Sequence, residues 1–111
     1  MKIKRDEAGD VVVLRLEGKL MGGPDAESFQ ALIKELVSSG RKKILVDLGK
    51  VSWVNSTGLG ILISGYTTLK NNEGSLKLVN VNKRIDQILI VTKLHTIFEA
   101  FEDESRAVAS F

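Results

Sequence analysis

The sequence predicts a single α/β domain: a mixed, largely parallel β-sheet with an N-terminal hairpin and helices packed against it. Three observations lead there. The 111 residues are the length of one domain and are enough to bury a core without disulfide staples. Near the start, two strand-like segments flank the turn signal Ala8-Gly9-Asp10. Beyond them, apolar strand-like runs alternate with segments whose apolar residues recur at helical spacing. Strands separated by helices are joined by crossovers and lie parallel. The expected order over residues 1–111 is β-β-α-β-α-β-α-β-α, with no internal repeat or linker.

Lys2 to Glu7 reads as an edge strand, and Val11 to Glu17 as a strong β-branched strand that pairs with it antiparallel. Gly18 to Asp25 reads as a loop that ends at a helix start. Pro24 suits the first helical position, where its missing N–H costs nothing, and Asp25 and Glu27 lie where the helix dipole favours acids. Ala26, Phe29, Leu32, Ile33, Leu36 and Val37 form an amphipathic stripe, and Gly40 is a natural residue to end it.

Lys43 to Leu48 is almost continuously apolar, the pattern of a strand covered on both faces. Val51, Trp53 and Val54 follow in what reads as a loop. Leu59, Leu62, Ile63, Tyr66 and Leu69 then mark a second helix. Gly58, Gly60 and Gly65 weaken that helix and are read as permitting close backbone approach. Asn71 to Gly74 ends it. Leu76 and Leu78 alternate in a fourth strand, Asn82 caps a third helix carrying Ile85, Ile88 and Leu89, and Thr92 to Leu94 breaks the pattern. Ile97 to Phe101 is read as a last short strand in preference to a helix start. Glu102 to Ser105 then caps a terminal helix reaching Phe111.

Composition narrows the chemistry. There are no cysteines and one histidine, so disulfides, thiolate chemistry and His/Cys metal clusters are not expected, and no cofactor is implied. The absence of cysteine fits a reducing cytoplasm. Lys plus Arg is 16 and Asp plus Glu is 14, a net charge of +2 without a dense basic face. Arg41-Lys42-Lys43 is the one basic cluster, and it reads as a solvated gatekeeper of the following strand. With few aromatic platforms beside it, the chain is not read as a nucleic-acid binder. No apolar run is long enough to span a bilayer, so no membrane insertion is expected, and no secretory signal is visible.

The segment Val54-Asn55-Ser56-Thr57-Gly58-Leu59-Gly60 carries the most chemical information. It places hydroxyls where a strand runs into a helix start. Unpaired N–H groups there carry partial positive charge and stabilise a phosphate. Asn, Ser and Thr are also the residues that merely cap helices, so local physics leaves both roles open.

Together with Leu14-Arg15-Leu16-Glu17-Gly18-Lys19-Leu20, Ile44-Leu45-Val46-Asp47-Leu48, Val51-Ser52-Trp53 and Gly74-Ser75-Leu76-Lys77-Leu78-Val79, this segment resembles the STAS family, specifically the bacterial anti-sigma factor antagonists, over nearly the whole chain. The resemblance implies a non-enzymatic, phospho-switchable binding module. Its partner would be an anti-sigma factor that is also a GHKL-type serine kinase. Unphosphorylated antagonist binds that factor and frees the sigma factor, phosphorylation releases it, and a metal-dependent serine phosphatase resets it. The matching acceptor is Ser56, with Thr57 a lesser candidate. Met21, Gly22, Gly23, Asn55, Ser56, Thr57 and Gly58 are the implied partner-binding residues. The exposed side of the second helix joins them, with Ser52, Thr57 and Ser64 as exposed candidates. Two departures stand out: the family usually has Asp where this chain has Asn55, and often Asp where this chain has Met21. The alternative is a STAS docking subunit of a transporter or stress-signalling complex that does not switch by phosphorylation.

Other residues are read more plainly. Trp53 is assigned to core packing ahead of a partner anchor. Met21 fits a partner contact or a loop cover equally. His95 is a helix-end or surface histidine. Asp47 is a lone acid at a strand end, a weak catalytic signal. Gly58-x-Gly60 lacks the spacing of a dinucleotide fingerprint, and Gly22-Gly23-Pro24 lacks the end of a P-loop. A small α/β enzyme or nucleotide binder therefore ranks last.

Overall fold

Crossovers that step in one direction along a sheet deposit their helices on a single face, and that rule organises this molecule. The computed structural model describes all residues 1–111. The elements are β1 (Lys2–Ala8), β2 (Val11–Leu20), α1 (Pro24–Ser38), β3 (Lys43–Val54), α2 (Ser56–Asn71), β4 (Ser75–Val79), α3 (Lys83–Val91), a 3-10 turn (Leu94–Thr96), β5 (Ala100–Phe101) and α4 (Glu104–Ala109). The sheet runs β1-β2-β3-β4-β5. β1 pairs antiparallel with β2, and every later pair is parallel. Each parallel step moves to the adjacent strand, so α1, α2 and α3 share one face.

That face holds the main core. Val12, Leu14 and Leu16 of β2, Ile44, Val46 and Leu48 of β3 and Leu76 and Leu78 of β4 meet Phe29, Ile33 and Leu36 of α1, Leu62 and Leu69 of α2 and Ile85 and Leu89 of α3. The alternate residues Val11, Val13, Leu45 and Val79 form a smaller cluster on the opposite face, closed by Ala107 of α4. β3 is thus covered on both sides, as its unbroken apolar run requires. Arg41 and Lys43 flank it as solvated ion pairs with Glu7 and Asp10.

The helix starts follow the local chemistry of their residues. Pro24 occupies the first turn of α1, with Gly23 before it at φ 69°. Asn82 and Asp103 accept hydrogen bonds from the first turns of α3 and α4. Lys93, at φ 61°, turns the chain out of α3 into the 3-10 turn where the sequence pattern breaks.

Several expectations are corrected. β2 continues through Gly18 to Leu20 and β3 through Gly49 to Val54, where loops were expected. Irregular register near Gly18, which has φ 99°, spaces the buried residues Leu48, Val51 and Val54 three apart. That period matches neither an ideal strand nor a helix. The last strand is only Ala100–Phe101, because Ile97 and Phe98 still donate to Leu94 in the 3-10 turn and the chain first meets β4 at the Glu99 carbonyl. α4 ends at Ala109, short of Phe111. Gly60 faces open space, so close approach explains Gly58 and Gly65 but not Gly60.

Candidate functional site at the start of helix α2

β2 and β3 end side by side, with Leu20 opposite Val54. The two loops that follow therefore meet at one end of the sheet, the end where open α/β sheets place ligands. The Asn55 N–H donates to the Leu20 carbonyl at 3.4 Å, tying the loops together. Asn55 is the N-cap of α2: its backbone is extended at φ −110°, and its Oδ1 accepts from the Gly58 N–H at 2.8 Å. Asn55 thus caps the helix with a neutral amide, adding no charge at this end.

Ser56 is the first residue of α2 and is exposed, as is Thr57. The Asn55 amide, not the Ser56 hydroxyl, supplies the cap. The first helical N–H groups have no carbonyl one turn back to pair with. No acid lies in the first turn of α2, so the helix brings no carboxylate of its own to its positive end. The α1 start differs, having Asp25 and Glu27 in its first turn.

The surroundings are fixed by small residues. A Cβ on Gly58 would stand 1.8 Å from the Leu20 carbonyl oxygen, so only glycine lets α2 begin against that backbone. A Cβ on Gly22, at φ 98°, would stand 2.3 Å from the Thr57 methyl. The Gly22-Gly23 turn thereby presses against the first turn of α2.

Among the residues singled out from sequence, Met21, Gly22, Gly23, Asn55, Ser56 and Thr57 come together on this end of the sheet. Met21 is 46% exposed. Gly58 is buried beneath them and supports the loop from behind. Ser52 and Ser64 are exposed as expected, and Ser64 donates to Gln30 on α1 at 3.0 Å.

Trp53 is not a core residue. It is 39% exposed, pointing outward from β3 between the inward residues Val51 and Val54. The Arg84 guanidinium of α3 lies 4.4 Å from its ring centroid. No sequence signal joined these two residues, because the stacking depends on where α3 crosses. Lys19, Met21, Ser52 and Trp53 line a shallow groove beside the Ser56 loop.

Asp47, weighed above as a lone acid, belongs to a charge node on the α4 face. Arg15 donates to Asp47 at 2.8 Å, Glu104 at 2.7 Å and Asp6 at 2.7 Å. The Glu104 carboxylate foremost, then Asp6 and Asp47, push the Arg15 guanidinium further up, against the effect of its partial burial. Burial by itself would raise the Asp47 carboxyl; hydrogen bonds from the Gly49 N–H, Asn80 and Arg15 outweigh it and hold Asp47 below its ordinary value. Each acid has a structural duty here, and no cluster of His, Cys, Asp or Glu is arranged to hold a metal. His95 is an exposed member of the 3-10 turn, with Nδ1 3.4 Å from the Leu89 carbonyl. No helix is long and apolar enough to cross a membrane.

Comparison with known proteins places this geometry in context. The STAS domain model matches residues 2–107. A Bordetella bronchiseptica protein, BtrV, which carries the provisional name of anti-sigma factor antagonist, is 22% identical over 111 residues, covering 100% of this chain and 95% of the relative. The anti-sigma-B factor antagonist of Bacillus subtilis is 29% identical over 86 residues, covering 76% of this chain and 79% of the relative. Among solved structures, Thermotoga maritima TM1081 superimposes with a TM-score of 0.87 at 24% identity, covering 97% of this chain and 92% of that one. The phosphorylated form of the Bacillus cell fate determinant SpoIIAA gives 0.76 at 20% identity, covering 98% of each chain. A sulfate transporter family protein from Wolinella succinogenes gives 0.80 at 15% identity, covering 93% of this chain and 85% of that one. At these identities the structural matches establish the fold alone. With nearly the whole length matched by the family model, on a five-stranded sheet of the same architecture, the chain belongs to the STAS domain family.

Proposed function

We propose that this protein is an anti-sigma factor antagonist, a non-enzymatic module that acts in the cytoplasm. In its unphosphorylated form it binds an anti-sigma factor and so frees a sigma factor for transcription. The single observation that carries this reading is the exposed Ser56 hydroxyl at the first position of α2, on a helix end with no acid of its own. The names borne by the Bordetella and Bacillus relatives support it.

The switch is local. A phosphoryl group on Ser56 adds about −1.5 to −2 charges at neutral pH. Within the antagonist the charge is tolerated, because it sits at the positive end of α2. In a packed interface it must be desolvated and meets whatever acids the partner presents. Release therefore needs no refolding of the antagonist. On this reading the kinase is the anti-sigma factor itself, of the GHKL type, and a serine phosphatase restores the binding form.

A second reading is a docking subunit of a transporter or stress-signalling complex that ignores the charge at position 56. The specific observation in its favour is Asn55, which keeps the cap but lacks the carboxylate usual beside the acceptor.

Phosphopeptide mapping separates the two. The purified protein is incubated with ATP and an extract of its own host, and peptides spanning residue 56 are examined by mass spectrometry. The switch reading expects a phosphoryl group on Ser56 that is lost in S56A. Unmodified Ser56 under conditions that phosphorylate other host proteins would count against it.

A further inference from the structure

Two shallow grooves flank the Trp53–Arg84 stack. One, beside the Ser56 loop, is walled by Lys19, Met21 and Trp53. The other runs along α3 and is walled by Arg84, Ile88 and Val91. Met21 is 46% and Val91 83% exposed, so each groove presents apolar surface to water. The guanidinium stacked on Trp53 divides them. The charges on this strip have one sign. Neither Lys19 nor Arg84 has a carboxylate within ion-pair distance, and no acid lines either groove. Elsewhere on the surface, Arg15, Arg41, Lys43 and Lys77 all have acidic partners.

We propose that this strip is a docking surface for a protein segment that carries a carboxylate between two large apolar side chains. The carboxylate pairs with the Arg84 guanidinium, whose planar fork suits two parallel hydrogen bonds. One apolar side chain enters the Met21–Trp53 groove and the other lies on Ile88 and Val91. Stacking on Trp53 holds Arg84 in place beforehand, which lowers the entropy lost on pairing. Lys19 adds attraction for the same acid and speeds encounter. The proposal rests on the reading above for its occupant, which is the anti-sigma partner, and adds the chemistry by which that partner is selected. Because Lys19 and Arg84 are cations without an acidic partner on this chain, the complementary face of the partner is acidic.

Selection from a phage-displayed library of random peptides tests this without knowledge of the partner. The bait is the full-length protein, and peptides enriched on it are measured against R84E, W53A and, as a surface control, K34E on α1, each checked for native circular dichroism. The expected result is enrichment of peptides with Asp or Glu flanked by large apolar residues. Their binding should weaken about tenfold or more in R84E and W53A, as at interface anchors of this type, and stay unchanged in K34E. No enrichment, enriched peptides lacking an acid, or equal binding to R84E would each overturn the proposal. Those outcomes leave any effect of charge at Ser56 untouched, so failure of the groove and failure of the phospho-switch are separable.

Discussion

The first turn of α2 rests directly on the backbone of β2: a Cβ on Gly58 would lie 1.8 Å from the carbonyl oxygen of Leu20. Because Asn55 also donates to that carbonyl and caps α2 through Gly58, three residues fix where Ser56 is displayed. G58A cannot be accommodated by moving a flexible side chain, since the obstacle is main chain. It is expected to cost about 3 kcal/mol or more, at the upper end of overpacking effects, or to displace α2. G60A, two residues on and facing open space, should instead stabilise by about 0.5–1 kcal/mol, the propensity gain of alanine over glycine inside a helix. Urea unfolding of the two variants measures both; equal effects would show that the contact with Leu20 is not what demands glycine.

The cap itself makes a separate prediction. N55A removes the acceptor for the Gly58 N–H and should cost about 1 kcal/mol. N55D keeps the acceptor and adds a charge that favours the helix end, so it should match or exceed wild type in stability at neutral pH. The same charge opposes a second negative group at Ser56. A phosphomimetic S56D should therefore be less stable on the N55D background than the two single changes predict when added. Thermal unfolding of the four proteins at low salt decides this, and strict additivity would contradict it.

Much of the fold is legible in the sequence because its physics is local. Pro24, Asn55, Asn82 and Gly40 mark helix ends by their own chemistry, and the continuous run at Ile44–Leu48 announces a strand covered on both sides. What escapes depends on distant contacts. The extension of β3 is hidden by the three-residue spacing of Leu48, Val51 and Val54, and that of β2 by Gly18, whose positive φ and shifted register read locally as a turn. Trp53 reads as core by residue type, yet it faces outward because the strand it occupies is longer than it looks. Arg84 gives no signal at all until α3 is placed across from Trp53. Arg15 had one available clue, since it shares a strand face with the buried Val11 and Val13 and a charge there needs partners.

Arg15 and Asp47 give the α4 face a definite pH dependence. Asp47 titrates below its ordinary value of 3.8 in the folded protein. Unfolded chain therefore binds its proton first as pH falls. The stabilisation contributed by ionised Asp47 is complete above the unfolded value and is lost as pH drops through the lower, folded value. D47N should be less stable than wild type at pH 7, and the gap should narrow below about pH 4. R15M leaves three carboxylates facing one another and should cost about 1–2 kcal/mol at neutral pH, allowing for solvent screening. Amide exchange in residues 104–109 should quicken in R15M, because Glu104 is where the node holds α4. A constant gap between D47N and wild type from pH 7 to pH 3 would refute the assignment.

Trp53 is the sole tryptophan, so its fluorescence reports on the site alone. R84A removes the guanidinium that covers one face of the ring, and acrylamide quenching should increase. The stability cost should be small, about 0.5–1 kcal/mol, as for exposed cation–π pairs. Unchanged quenching in R84A would mean that the stack does not persist in solution.

In the proposed switch, charge at Ser56 governs binding. The most direct test is paired affinity capture from native host lysate, with ATP or ADP added, using S56A and S56D as baits and mass spectrometry to identify the bound proteins. The phospho-switch account predicts that S56A retains a GHKL-type kinase that S56D loses. Retention of the same transporter or scaffold component by both baits would contradict it and leave Asn55 and Ser56 as no more than the start of a well-capped helix.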